Sequence, residues 1–285
     1  EVAWLLGPGA MQAAAALPAA SATRTASRLF EDGGYAVLRS GTGSSRHQLI
    51  LDVGPLGCPI SGAHGHADLL ALSCDIFGEP CIVDPGMPNY GGDPKWRDAF
   101  RSTALHSSVM VDNLSQAAPD GPFAWKSRPR ARLRSWHSNE TFDYVDGEHD
   151  AYRFRRSALT HRRRIIFIKP RYWLVIDDLC EPGSQTEHRI ELCFQFAPGH
   201  ILQNEGSWVR AATPAGHALL VRPTADVPLA TTIHEGERDP LPIRGWFSPA
   251  YGSLQPAPAL VYTATTRMPF STRTRARRRR TTSRP

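Results

Sequence analysis

Four side chains can gather around one cation. His64 and His66 stand two residues apart in Gly62-Ala63-His64-Gly65-His66-Ala67-Asp68. In an extended segment residues i and i+2 share a face, so the two imidazoles can converge. Neutral imidazole nitrogens together with a carboxylate oxygen form a donor set that Zn²⁺ accepts, and Asp84 and His106 can complete it. The H-x-H spacing fits equally a hydrogen-bonded pair at a strand end.

Asp84 must return to the level of His66 for such a set to close. Residues 69–83 read as two apolar strands around Phe77-Gly78-Glu79-Pro80, a hairpin that brings Asp84 back beside its own start. Upstream, residues 34–39 and 47–52 flank Ser-Gly-Thr-Gly-Ser-Ser as a second hairpin. Further strands are expected at 107–111, 130–135, 142–145, 158–168, 172–179, 188–196, 207–211, 217–222 and 259–265. Short strands at this spacing, with Pro and Gly between them, predict a mainly β chain built as a large antiparallel sandwich. Residues 172–177, Tyr-Trp-Leu-Val-Ile-Asp, are nearly all apolar and predict a central strand buried on both faces, with Trp173 a core residue. Residues 1–28 differ in texture. Met11-Gln-Ala-Ala-Ala-Ala-Leu17 favours a helix that Pro18 stops, a segment too short to be a domain.

Composition bounds the rest. The 285 residues are 41% hydrophobic and 9% aromatic, enough for a sizeable core. No apolar run approaches the roughly 20 residues that cross a bilayer. The net charge is +6, but residues 271–285 hold seven arginines and no acid, which leaves −1 for the remainder. That run reads as a disordered, self-repelling basic tail, with a nucleic-acid or membrane arm as the alternative. Five cysteines show no metal-like spacing, and Cys74 and Cys81 flank the hairpin turn closely enough to pair in an oxidising compartment.

Four runs in order, HGHADLLALSCDIFGEPCIVDPG, KWRDAFRSTALHSSVMVD, THRRRIIFIKPRYWLVIDDL and GWFSPAYG, resemble the C-terminal β-sandwich domain of the heparinase II/III and alginate lyase families. The resemblance covers residues 30 to 270. It implies a helical remnant of an (α/α) toroid over 1–28, a sandwich domain over 29–270 and the basic tail over 271–285. It also implies a polysaccharide lyase of the bacterial periplasm or cell envelope, cleaving an acidic, uronate-containing glycan by β-elimination and incomplete here because the toroid supplies part of the catalytic set. A non-catalytic, zinc-stabilised carbohydrate-binding sandwich is the alternative.

By the same resemblance His64 serves carboxylate neutralisation or proton transfer. Tyr90 reads as a cleft-lining catalytic candidate, or else as an ordinary surface tyrosine of a Pro/Gly loop. His66, Asp84 and His106 match a structural Zn²⁺ site. Arg97 and Arg101 can grip a uronate bidentately, or else pair with an acid such as Asp75 or Asp112. Two departures stand out: Pro88 where the family often carries tyrosine, and Ser107 where asparagine is frequent.

Overall fold

The computed structural model describes residues 7–16, 26–58, 60–155, 158–239 and 242–280. Strands β1 (Arg28–Phe30), β2 (Tyr35–Ser40), β3 (His47–Asp52), β4 (Leu72–Ile76) and β5 (Glu79–Ile82) form an antiparallel meander in chain order. Alternation drives it: in β3, His47, Leu49 and Leu51 are buried while Gln48, Ile50 and Asp52 are half-buried. The expected hairpin is present. Phe77 and Gly78 turn it with φ of 53° and 83°, the left-handed pair that a two-residue hairpin loop needs.

A second sheet runs β15 (Ala230–His234), β18 (Ala259–Arg267), β11 (Glu187–Gln195), β6 (Val109–Val111). It meets the first edge to edge, where Val83 N–H donates to the Gln195 carbonyl and Ala197 N–H to that of Cys81, both at 2.9 Å. The third and largest sheet has eight strands. Its order is β12 (Ile201–Glu205), β13 (Trp208–Ala212), β14 (His217–Ala225), β19 (Phe270–Arg280), β10 (Tyr172–Cys180), β9 (Thr160–Ile168), β8 (Phe142–His149), β7 (Ala131–Ser138). A small hairpin, β16 (Trp246–Phe247) with β17 (Gln255–Pro256), stands apart. One core draws on all three large sheets, with Leu51, Phe194 and Leu260 facing Val145, Phe167, Trp173 and Val221. The molecule is the large antiparallel sandwich that the strand spacing predicts.

Three expectations need correction. Residues 270–280 are no tail: they form β19, hydrogen-bonded between β14 and β10 in the middle of the largest sheet. Phe270, Thr272, Thr274 and Ala276 turn inward and the intervening residues outward, so the run is a period-two strand whose exposed half is arginine. Residues 281–285 lie outside the described residues. Second, β10 is central but not buried on both faces. Trp173, Val175, Asp177 and Leu179 are buried, whereas Tyr172, Leu174 and Ile176 are half-covered by neighbouring side chains, including the Arg275 guanidinium 4.4 Å from the Tyr172 ring centre. Third, Cys74 and Cys81 are buried free thiols.

Helix α1 (Gly9–Ala16) occupies most of the predicted helical segment, and Leu17 and Pro18 lie outside the described residues. Helix α2 (Pro94–Phe100) starts with Pro94 and is capped by Asp93, which accepts from Lys95 N–H at 2.8 Å.

Candidate functional site

The residues between β3 and β4 shape the site, and they run as a loop instead of an extended strand. Gly62, His64 and Leu70 have φ of 73°, 59° and 58°. Holding the non-glycine His64 there costs about 1–3 kcal/mol. The i, i+2 argument for His64 and His66 therefore fails on its premise: both border one cleft, but they point at different partners. Gly65 between them packs on Gly57 so closely that a Cβ at Gly65 would stand 2.7 Å from the Gly57 Cα.

His66 joins Asp68, Asp84 and His106, with one donor atom from each lying within 4.8 Å of all the others. His66 Nδ1 is 3.1 Å from His106 Nε2, which is 3.4 Å from Asp84 Oδ2. Both lie near the edge of about 3.4 Å expected for tetrahedral zinc with bonds of about 2.0–2.1 Å. His106 Nδ1–H donates to the Ser102 carbonyl at 2.7 Å, which turns Nε2 into the cluster. Asp84 is steadied by the Gly86 N–H at 2.8 Å.

The electrostatics favour a cation. Burial, then the charge of Asp68, pushes Asp52 up to about 7; burial, then Asp84, pushes Asp68 up to about 6. Burial presses the His66 imidazole down to about 4, so it stays neutral and its lone pair free. Burial opposes charge on His106 as well, yet the Asp84 hydrogen bond and charge raise it to about 9. The same partnership holds the Asp84 carboxyl well below the usual carboxylate range, against the desolvation that would raise it, although more than half of its side chain is exposed. Three carboxylates and two imidazoles thus crowd one spot, and a divalent ion would relieve the repulsion among the acids.

The cluster borders a 440 Å³ cleft lined by Tyr35, Asp52, His64, His66, Asp68 and Asp84 among others. On the cleft wall His64 Nδ1 lies 3.1 Å from Tyr90 Oη, with ring centres 5.3 Å apart, edge to face. Phe123 stacks on Tyr90 at 5.1 Å and backs the pair. His64 and Tyr90 are thus brought together, as His66, Asp84 and His106 are. A larger cavity of 680 Å³ near Thr42, Lys169, Arg278 and Arg280 contains none of these groups.

Arg97 and Arg101 behave otherwise. Neither lines the cleft. Arg97 forks onto Asp98 at 2.9 and 3.2 Å. Arg101, only 1% exposed, donates to Asp98 and to the Gly121 and Pro122 carbonyls while covering the Trp125 ring at 4.8 Å. The grip on a uronate is corrected to a structural anchor, with Asp98 and not Asp75 or Asp112 as the acid; the Arg101 carbonyl in turn accepts from Ala67 N–H at 2.9 Å.

Asp68 was missed by sequence reasoning, although it repeats the i, i+2 spacing from His66 that drew attention to His64. So was a buried clamp beneath the loop. Arg163 of β9 donates through Nη1 to the carbonyls of Leu70 and Ser107, both at 2.7 Å, next to the segments that carry Asp68 and His106. Its Nε and Nη2 fork onto Asp177 of β10 at 2.7 and 3.2 Å. Asp177 also receives His161 Nε2–H at 2.7 Å. Burial would raise Asp177, but Arg163 and His161 hold it down to about 2. Gln116 completes the clamp, accepting from Leu69 N–H at 2.8 Å and donating to the Leu69 carbonyl at 3.0 Å.

Comparison with known proteins adds a family to this geometry. The family model described as Heparinase II/III-like, C-terminal, matches residues 22–280. The heparin-sulfate lyase of Pedobacter heparinus is 26% identical over 154 residues, 53% of this chain and 21% of the relative. Heparan sulfate lyase HepC from the same organism superposes with a TM-score of 0.74 at 18% identity, over 99% of this chain and 41% of that one. A heparinase III crystal structure gives 0.70 at 17% identity, over 88% and 36%. The structural likeness at these identities is one of fold, and this chain spans well under half the length of those relatives.

Proposed function

This chain belongs to the heparinase II/III-like family through its C-terminal domain, and on that premise we propose that it is the sandwich part of a glycan lyase that cleaves an acidic, uronate-bearing polysaccharide by β-elimination. The C5 proton of a uronate becomes acidic once its carboxylate is neutralised; a base then takes that proton, and an acid protonates the departing glycosidic oxygen. The observation that carries this reading is His64 on the wall of a cleft large enough for sugar rings, with Tyr90 Oη 3.1 Å from its Nδ1. Imidazole N–H can donate to the uronate carboxylate while the phenol exchanges a proton with the sugar.

His66, Asp68, Asp84 and His106 would hold Zn²⁺, whose contribution when bound is to tie the 62–70 loop, the end of β5 and the segment before β6 into one cleft wall. The partner is an acidic polysaccharide, and its setting the bacterial periplasm or cell envelope. Toroid residues of a longer protein would supply the other half of the catalytic set, in keeping with the share of the relatives that this chain spans.

The test is ultraviolet absorbance of the unsaturated product after incubation with heparin, heparan sulfate, alginate or a bacterial exopolysaccharide, alone and with a toroid-containing form of the protein. Product that His64→Ala and Tyr90→Phe abolish, at unchanged zinc content, supports the reading. Retention on a glycan with no product in either form favours a zinc-stabilised carbohydrate-binding domain instead.

A further inference from the structure

The outer face of the eight-stranded sheet carries a row of charge that the cleft does not use. Arg273, Arg275, Arg277 and Arg279 project outward from β19, all exposed. Alternate residues on one face of a strand stand about 6.6 Å apart. Exposed Arg222 of β14 lies directly across from Arg275, a like-charge pairing that disfavours the sheet unless something answers it.

The acids on this face are already taken. Asp146 pairs with Arg162, Asp178 with Arg164, Glu148 with Arg132 and Arg134, and Glu205 with Arg210. Among the described residues no carboxylate lies within ion-pair distance of Arg222 or of the four ladder arginines. The ladder is also separate from the cleft. Buried Arg163 projects from β9 to the opposite face of the same sheet, where it holds the loop bearing His66 and Asp68.

The aromatic groups on the outer face narrow the partner. Arg275 covers Tyr172 at 4.4 Å, while Arg277 and Arg222 lie over Trp208 at 4.7 and 5.7 Å. Rings so covered offer no bare face for an unstacked base, whereas stacked guanidiniums keep their N–H edges free for carboxylate or sulfate oxygens. We propose that this face binds an acidic polysaccharide, with carboxylate or sulfate on successive sugars, as an anchoring surface separate from the cleft. The polysaccharide as occupant rests on the function proposed above; anion capture rests on the ladder alone.

The experiment is salt elution from immobilised heparin, with titration of soluble heparin and of duplex DNA, for the full chain and three variants. In R273Q/R275Q/R277Q heparin affinity at low salt falls about tenfold or more, and the slope of log affinity against log salt falls by about two to three. The matching Arg→Lys triple variant keeps most of the binding. R273Q/R279Q, which touches no aromatic contact, guards against misfolding and loses an intermediate amount. Zinc content and thermal midpoint stay at wild-type values. Unchanged heparin elution of both glutamine variants overturns the proposal, as does duplex DNA binding as tightly as heparin with the same losses, which would make the face a nucleic-acid surface. Absence of unsaturated product would sink the lyase reading while leaving these binding results standing.

Discussion

His66, Asp84 and His106 were legible because only a handful of side-chain types make cation donors and a predictable hairpin returns Asp84 to His66. Asp68 was not, since its approach to the others depends on the left-handed turns at His64 and Leu70, which no spacing rule reveals. With all four as ligands, the chain should carry about one zinc by elemental analysis, and Asp68→Asn, like His66→Ala and Asp84→Ala, should weaken zinc binding by roughly a hundredfold or more; wild-type zinc retention in Asp68→Asn would remove that residue from the set. Gly65 acts sterically. Gly65→Ala forces its Cβ against the Gly57 backbone, so a loss of about 1–3 kcal/mol is expected by denaturant titration, together with weaker metal binding because His66 shifts with the loop. Arg97 and Arg101 show the limit of reading charge from sequence: whether an arginine faces substrate or an internal acid depends on which acid the fold brings near, here Asp98.

Among the elements, the hairpins and most strands of the large sheet were visible as alternating or apolar runs between turns. β19 was overlooked because its arginine content outweighed its alternation, although Phe270, Thr272, Thr274 and Ala276 already trace one face. Removing residues 271–285 should therefore not give a trimmed, folded protein with weaker polyanion binding. It should split the sheet between β14 and β10 and yield aggregated material, judged by size-exclusion chromatography; a monomeric, cooperatively unfolding product would contradict the placement of β19. The Arg163–Asp177 pair couples β9 and β10 to the ligand loop. Asp177→Asn leaves a buried guanidinium short of its counter-charge, for an expected loss of about 3 kcal/mol or more, with zinc affinity falling as the Leu70 and Ser107 carbonyls lose their fixed donor.

For the molecule as a whole, metal and protonation set stability together. A zinc bound only by the folded chain adds about 2.7 kcal/mol at a free concentration 100 times its Kd, so chelation should lower the thermal midpoint of wild type and leave that of His66→Ala unmoved. Away from the cluster, His188 bridges Asp112 at 2.7 Å and Glu181 at 2.9 Å. Burial opposes its charge, but the two carboxylates prevail and raise its pKa. The folded form therefore keeps this proton after the unfolded chain has released it near 6.5. The bridge contributes fully below that pH, and its contribution is lost as pH rises through the raised value. The urea midpoint should fall over that window in wild type, and more shallowly in His188→Gln.

The position of β19 has a bearing on biosynthesis. Every residue of the metal cluster has been translated by residue 106, but the seam between β14 and β10 stays open until residues 270–280 have followed. Until then the nascent polypeptide exposes two bare edges side by side, a gap that another copy's strand could fill, so shielding by a chaperone until β19 is made would matter more for yield than any step at the cation site.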